Sequence, residues 1–200
     1  MAPHAGTDLE SFFLGTTNKW RRNTTVITRR GDISKIEADA IVVPHDAAFG
    51  CRDGLSRVIR VLDPEAIAEA QQKVLALKGV SMARPIYTAS PSEQIVARGM
   101  YHVVGPVASQ HEAQYWLTKT FQSCILAAAA DGNRSLVFPA IGTGGAGFSD
   151  QQCATAFFSA IAQCDATEIA KVSSITILLT RLPSLEAFRD ASTMLVTHVE

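Results

Sequence analysis

Apolar positions follow two patterns that alternate along most of the chain, short unbroken runs and sets at helical spacing. Thr24-Thr25-Val26-Ile27-Thr28 is β-branched throughout and predicts a strand. Gly31-Asp32 turns the chain. Ala40-Ile41-Val42-Val43 then reads as a strand covered on both faces, ended by Pro44. Leu55, Val58, Ile59 and Leu62 share one helical face. Asp63-Pro64-Glu65 restarts a helix, with Asp63 as N-cap and Pro64 at the first position, where its missing N–H costs little. That helix runs to about Lys78, and Gly79 ends it. Pro85-Ile86-Tyr87-Thr88 and Tyr101-His102-Val103-Val104 predict two strands, and a long helix follows from about Glu112 to Ala130, closed by Asp131-Gly132. Leu136-Val137-Phe138 predicts a buried strand that feeds a glycine-rich loop, Gly142 to Gly147, and a helix from about Asp150 to Cys164. The strand Ile175-Thr176-Ile177-Leu178-Leu179 and a helix from Ser184 complete the pattern. Strands alternating with helices predict a layered α/β domain with a mostly parallel sheet. Residues 1–22 lack this regularity and read as an arm or linker before a single domain over 23–200.

Composition narrows the partners. Eighteen basic and nineteen acidic side chains give a net charge of -1, which argues against a dominant contact with nucleic acid or anionic membrane. No apolar run reaches membrane-spanning length, and Met1 to Glu10 lacks the regions of a signal peptide, so an intracellular protein, cytoplasmic or nuclear, is expected. The four cysteines form no C-x-x-C pair, and no metal site is expected. Cys124 and Cys153 read as core residues; Cys51 sits in a loop with no basic partner evident from the sequence. Lys19, Trp20, Arg21 and Arg22, with Arg29 and Arg30, could stack a base and contact phosphates. The near-neutral domain beside them weighs against that use.

The most informative segment is Phe138-Pro139-Ala140-Ile141-Gly142-Thr143-Gly144-Gly145-Ala146-Gly147-Phe148-Ser149-Asp150. Glycines let successive backbone N–H groups converge on an anion, and a helix N-terminus follows, so a phosphate or diphosphate is the natural guest. No Lys-Ser/Thr pair follows, which excludes a Walker A loop. Gly142, Gly144 and Gly147 spell G-x-G-x-x-G, but too late in the chain, and Asp165 and Glu168 precede the next strand rather than close it; a dinucleotide-binding fold is disfavoured.

Gly31-Asp32-Ile33, Ala38-Asp39-Ala40-Ile41-Val42, Tyr101-His102-Val103-Val104-Gly105-Pro106 and Phe138-Pro139-Ala140-Ile141-Gly142-Thr143-Gly144 together resemble the macrodomain pattern, in order and in spacing. Cys51 to Ile59 looks closest to macrodomains of poly-ADP-ribose-polymerase-like proteins. The resemblance implies a three-layer α/β/α sandwich around a mixed six-stranded sheet, with ADP-ribose across the C-terminal ends of the strands. It implies that Asp32 accepts from the adenine amino group and that the Ile33 N–H helps read the ring. Gly54 and Leu55 would border the ligand, and Gly142, Thr143, Gly144, Gly145, Ala146, Gly147 and Phe148 would wrap the diphosphate and distal ribose. A bulky side chain at Gly144 would then intrude on the diphosphate or forbid the backbone angles. No cofactor is implied.

The departures are specific. The family's Asn-Ala-Ala-Asn reads Val43-Pro44-His45-Asp46, so Asp46 keeps acceptors for a ribose hydroxyl but lacks the amide donor and adds charge near a diphosphate. The following glycine tract is Cys51-Arg52-Asp53-Gly54, and Ser56 stands where many hydrolytic members carry Asp. The aromatic residue over the distal ribose is Ala146 here, and the adenine-stacking position falls at Thr180 or Arg181, where a guanidinium could take the ring's place. Asp46, Asp53 and His45 are the local groups able to act as bases. Three functions are therefore open. The first is a reader that binds ADP-ribose or mono-ADP-ribosylated protein. The second is a slow or altered ADP-ribosyl hydrolase using Asp46 or Asp53, and the third a scaffold turned to another nucleotide or nucleic acid.

Overall fold

The computed structural model of the protein describes residues 12–14, 24–51, 54–90 and 92–196. Its strands are β1 (Phe12–Leu14), β2 (Thr25–Arg30), β3 (Ala40–His45), β4 (Ile86–Ala89), β5 (Gly99–Val104), β6 (Ser135–Pro139) and β7 (Ser174–Leu179). The helices are α1 (Gly54–Leu62), α2 (Pro64–Ala76), α3 (Ala113–Ala130), α4 (Asp150–Gln163), the short α5 (Ala166–Ile169) and α6 (Leu182–Val196). The strands lie in the order β1-β2-β7-β6-β3-β5-β4. The five inner strands are parallel, while β1 and β4 pair antiparallel at the two edges. Six of these strands are the expected mixed sheet. β1 adds a seventh from within the stretch read as an arm; the basic cluster from Lys19 to Arg22 lies outside the described residues.

Side-chain alternation along the inner strands builds both faces. Ala40 and Val42 of β3 join Tyr101, Val103, Leu136 and Ile177 on the face covered by α3, α4 and α6. Ile41 and Val43 join Met100 and Leu178 on the face covered by α1 and α2. On the first face, Phe157 of α4 meets Phe121, Phe138 and Phe188 at ring separations of 5.4, 5.8 and 5.8 Å. Cys124 and Cys153 are buried there as expected, and burial pushes the Cys124 thiol up to about 12.

Asp63 caps α2 as predicted, accepting from the Ala66 N–H at 3.1 Å. β2 continues to Arg30, because its parallel pairing with β7 continues to Leu179. Pro44 does not end β3, which runs on to His45. β6 pairs with β3 only at Ala40 and Ile41, so the later part of β3 has a ladder on one side, and a proline there need not break one. Asp39 fixes the start of β3 against β6: its carboxylate accepts from the Arg134 N–H at 2.8 Å and from the Ser135 N–H and hydroxyl at 3.0 Å. At the β4 edge, the Lys73 ammonium donates to the Tyr87 carbonyl at 2.7 Å. Among the described residues no helix is long and apolar enough to cross a membrane.

Candidate functional site

Parallel pairing puts the C-terminal ends of β2, β7, β6, β3 and β5 along one rim, in that spatial order. The segments that leave them are Gly31-Asp32-Ile33, Thr180-Arg181, the glycine loop, the loop after His45, and Gly105-Pro106. Three strand spacings, roughly 14 Å, separate the first of these from the loop after β3. An elongated ligand lying on the rim would therefore meet them in turn. This is the position where open parallel sheets carry their ligands.

At the β2 end lies a cleft of about 530 Å³ lined by Arg30, Gly31, Asp32, Ile33, Leu55, Val58, Pro139, Leu178, Leu179 and Thr180. Asp32 caps a single turn of 3-10 helix, Ile33–Lys35. Its Oδ1 accepts from the Ser34 N–H at 2.9 Å and from the Ser34 hydroxyl at 2.8 Å. These two bonds hold the carboxyl below its usual range, so Asp32 presents a charged acceptor at neutral pH. The Ile33 N–H donates to no acceptor among the described residues. The face Leu55, Val58, Ile59 and Leu62 turns out to be divided: Ile59 is fully buried, whereas Val58 is 47% exposed and lines the cleft. Of the two adenine-stacking candidates, Thr180 lines the cleft. Arg181 instead gives both its bonds to Asp150, at 2.8 and 2.9 Å, while Ser184 donates to the same carboxylate at 2.7 Å. The cation lining the cleft is Arg30, a residue whose place in the sequence suggests only the basic arm.

The glycine loop begins at the next strand but one. Its turns are closed by Gly147 N–H to Gly144 carbonyl and Phe148 N–H to Gly142 carbonyl bonds, each 3.0 Å, and Ala108 N–H holds the Ala146 carbonyl at 2.8 Å. The Thr143 hydroxyl folds back on the Ala140 carbonyl at 3.0 Å. The N–H groups of Gly142, Gly144, Gly145 and Ala146 donate to no acceptor among the described residues. Three consecutive unengaged donors on an exposed loop are suited to an anion. Left-handed backbone is required at Gly142 (φ 84°) and Gly147 (φ 82°), but not at Gly144, which corrects the expectation that Gly144 needs special angles. A Cβ at Gly142 would lie 2.7 Å from the Phe148 ring, which is buried beneath it, whereas a Cβ at Gly144 would meet nothing within 4 Å. Ser149 and Gln152 close a capping box at the start of α4.

The loop after β3 is built differently. Asp46 is exposed, and its Oδ1 accepts from the Gly50 N–H at 3.1 Å while its carbonyl accepts from the Phe49 N–H at 3.0 Å. Phe49 and Cys51 both adopt left-handed angles, φ 54° and 49°, a conformation that costs a non-glycine residue about 1–2 kcal/mol. Gly54 and Ser56 open α1, and the candidate base Asp53 lies outside the described residues.

His45 is not placed as a base. It is buried, stacks on Phe49 with ring centroids 3.8 Å apart, and has both ring nitrogens engaged. Its Nδ1 is 3.4 Å from the Cys51 Sγ and its Nε2 2.9 Å from Nδ1 of His102, whose Nε2 is 2.9 Å from the Thr88 hydroxyl. Burial pulls His45 down to about 4, with Asp46 opposing, and His102 down to about 3, helped by His45 and Lys73. Burial pushes the Cys51 thiol up, against the Ser56 hydroxyl and Arg60. All four groups are therefore neutral at pH 7. Since each neutral ring carries one N–H, the chain runs either from Cys51 toward Thr88 or the reverse. His102 and Thr88 escaped the sequence reading because the contacts span 57 and 14 residues and depend on strand register. Among the described residues no group of three His, Cys, Asp or Glu is placed to hold a metal ion.

Comparison with known proteins agrees with this geometry. The chain is 30% identical over 128 residues to the O-acetyl-ADP-ribose deacetylase of Salmonella gallinarum, covering 62% of this chain and 70% of that protein. It is also 30% identical over 160 residues to the Klebsiella pneumoniae protein of the same name, covering 78% and 82%. The Oceanobacillus iheyensis macrodomain, solved with ADP, superposes with a TM-score of 0.83 at 18% identity, over 96% of this chain and 100% of that one. The Trypanosoma brucei macrodomain in complex with ADP gives 0.71 at 20% identity, over 83% and 68%. Residues 49–157, from the strained loop after β3 into α4, match the Macro domain family, and the chain belongs to that family.

Proposed function

We propose that the chain binds ADP-ribose along this rim, free or attached to protein as mono-ADP-ribose, and holds it without rapid turnover. The observation that carries this reading is the row of unengaged N–H groups at Gly144, Gly145 and Ala146, flanked on the rim by an ionised Asp32 in an apolar cleft. Adenine enters the cleft, its amino group donating to Asp32 and a ring nitrogen accepting from Ile33. The diphosphate sits on the glycine loop, and the distal ribose reaches toward Asp46. Slow turnover follows from the side chains available: His45 is sequestered, and Asp46 has one oxygen committed to the Gly50 N–H. Placing water and substrate to within a fraction of an ångström is worth several orders of magnitude in rate, and these groups do not provide that placement.

A second reading, hydrolysis of an ester on the distal ribose, is favoured by the deacetylases to which the chain is similar. In that case Asp46 or Asp53 is the working carboxylate. The two readings separate in a single-turnover assay with O-acetyl-ADP-ribose and with mono-ADP-ribosylated carboxylates. Rapid release that is lost in Asp46→Asn or Asp53→Asn establishes the hydrolase and removes the reader.

Two variants test the binding reading itself by calorimetry. Asp32→Ala is expected to weaken ADP-ribose by about 1.5–3 kcal/mol, as for loss of a charge-assisted bond, with unchanged secondary structure. Equal affinity would place the adenine elsewhere. Asp46→Asn is expected to tighten binding, since its amide oxygen keeps the Gly50 bond while a donor replaces a charge beside the diphosphate. Weaker binding would show that the carboxylate itself holds a ribose hydroxyl.

A further inference from the structure

The loop after β3 holds two left-handed non-glycine residues, Phe49 and Cys51, on either side of Gly50, and neither conformation is supported by the sheet. The two bonds to Asp46 close the first turn of the loop, and beyond them the Phe49 carbonyl accepts a long bond from the Cys51 thiol at 3.8 Å and one from Gln71 Nε2 at 3.4 Å. One ring contacts the side chains of both strained residues. His45 lies 3.8 Å from Phe49 at an interplanar angle of 7°, and 3.4 Å from the Cys51 Sγ. The ring is itself held from behind by His102 on β5, which is completely buried and fixed in turn by Thr88 on β4. A rigid ring braced across three strands therefore touches the loop at the two points where its backbone is least comfortable.

We propose that His45 is a positioning residue for the rim: it clamps the loop Asp46–Cys51 in the conformation that presents Asp46 to the distal end of the ligand. The inference rests on the ADP-ribose reading given above. His45 touches no ligand in this account; it acts through Phe49 and Cys51. An imidazole suits the task because it offers a flat face and two opposed polar atoms on one buried ring, so that the loop and the sheet are gripped at once. The clamp lies beneath the β3 end of the rim, three strand positions from β2, which carries Asp32 at its end. It should therefore govern the distal half of the ligand and leave the adenosine half alone.

That separation supplies the test. ADP-ribose and AMP are titrated calorimetrically into the wild type and into His45→Ala, well below both melting temperatures. ADP-ribose is expected to weaken at least tenfold while AMP stays within twofold, and His45→Asn, whose amide can still meet Cys51, is expected to recover part of the loss. Hydrogen exchange on the free proteins provides a readout that needs no ligand. The Phe49 and Gly50 amides should exchange at least tenfold faster in His45→Ala, with β5 unchanged. Equal weakening of both nucleotides, or unaltered exchange and unaltered ADP-ribose affinity, overturns the proposal. If His45→Ala does not fold, Cys51→Ala and Phe49→Leu remove the two loop contacts singly and carry the same expectations. If the wild type binds neither nucleotide, the ADP-ribose reading fails, and the exchange rates alone decide whether His45 clamps the loop.

Discussion

Acidification from pH 7 to pH 4 is expected to remove about 6 kcal/mol of folding stability through two buried histidines. His45 and His102 take up protons near pH 6.5 once unfolded, but only near pH 4 and pH 3 when folded, because burial disfavours their charged forms. Below pH 6.5 the unfolded chain therefore binds protons that the folded chain refuses. The stabilisation is complete above pH 6.5, falls by ~1.4 kcal/mol per pH unit for each ring, and levels off only below the folded values. Each ring contributes about 3 kcal/mol by pH 4, against a total stability on the order of 5–15 kcal/mol for a domain of this kind. Urea midpoints followed by circular dichroism should fall steeply between pH 6.5 and 4.5. A flat profile over that interval would show that the rings are solvated or charged in the folded protein. Replacing both histidines with Gln should flatten the slope whatever it does to stability at pH 7.

Valine at Gly144 and valine at Gly142 are expected to fail in opposite ways, although only Thr143 separates the two positions. At Gly144 the new side chain enters open space at an ordinary φ. The melting temperature should barely move, while ADP-ribose affinity drops at least about 100-fold, or ~2.7 kcal/mol, because the branched side chain crowds the three N–H groups proposed to hold the diphosphate. At Gly142 the same substitution meets φ 84° and a Phe148 ring carbon 2.7 Å from the new Cβ. Strain and overpacking together should cost roughly 2–4 kcal/mol of stability. A Gly144→Val protein that binds ADP-ribose normally would reduce the loop to a structural turn.

The order of elements was legible in the sequence because it rests on local spacing, and local spacing survives folding. Runs such as Ala40–Val43 and Ile175–Leu179 admit one reading once the helices between them are recognised. Asp32 and the glycine loop were legible for a different reason: a short carboxylate after a glycine, and a cluster of glycines between strand and helix, have few uses. What could not be read depends on pairing. β1 is three residues long and gains its meaning only from antiparallel register with β2. The cleft borrows Val58 from a pattern that elsewhere means core, and the fold leaves that residue half exposed while Leu178 beside it stays buried. Arg181 offered its charge to a ligand in the sequence, but Asp150, 31 residues away, takes it in the fold. His45 looked like a possible base because its partners, His102 and Thr88, lie on other strands.

The lysine at the β4 edge has a bearing on handling rather than on ligands. An unpaired outer strand is a template on which a second chain can add a strand of its own. Lys73 occupies one carbonyl of that strand, at Tyr87, and its charge stands in the path of any incoming backbone. The short edge, only Ile86–Ala89, thus offers an incoming copy one acceptor fewer, and that amine is itself held in place by Glu69 at 2.6 Å. Neutralising that amine, by acetylation or by Lys73→Met, should leave the fold intact yet lower the concentration at which the protein begins to self-associate, with the new contacts spreading outward from Tyr87.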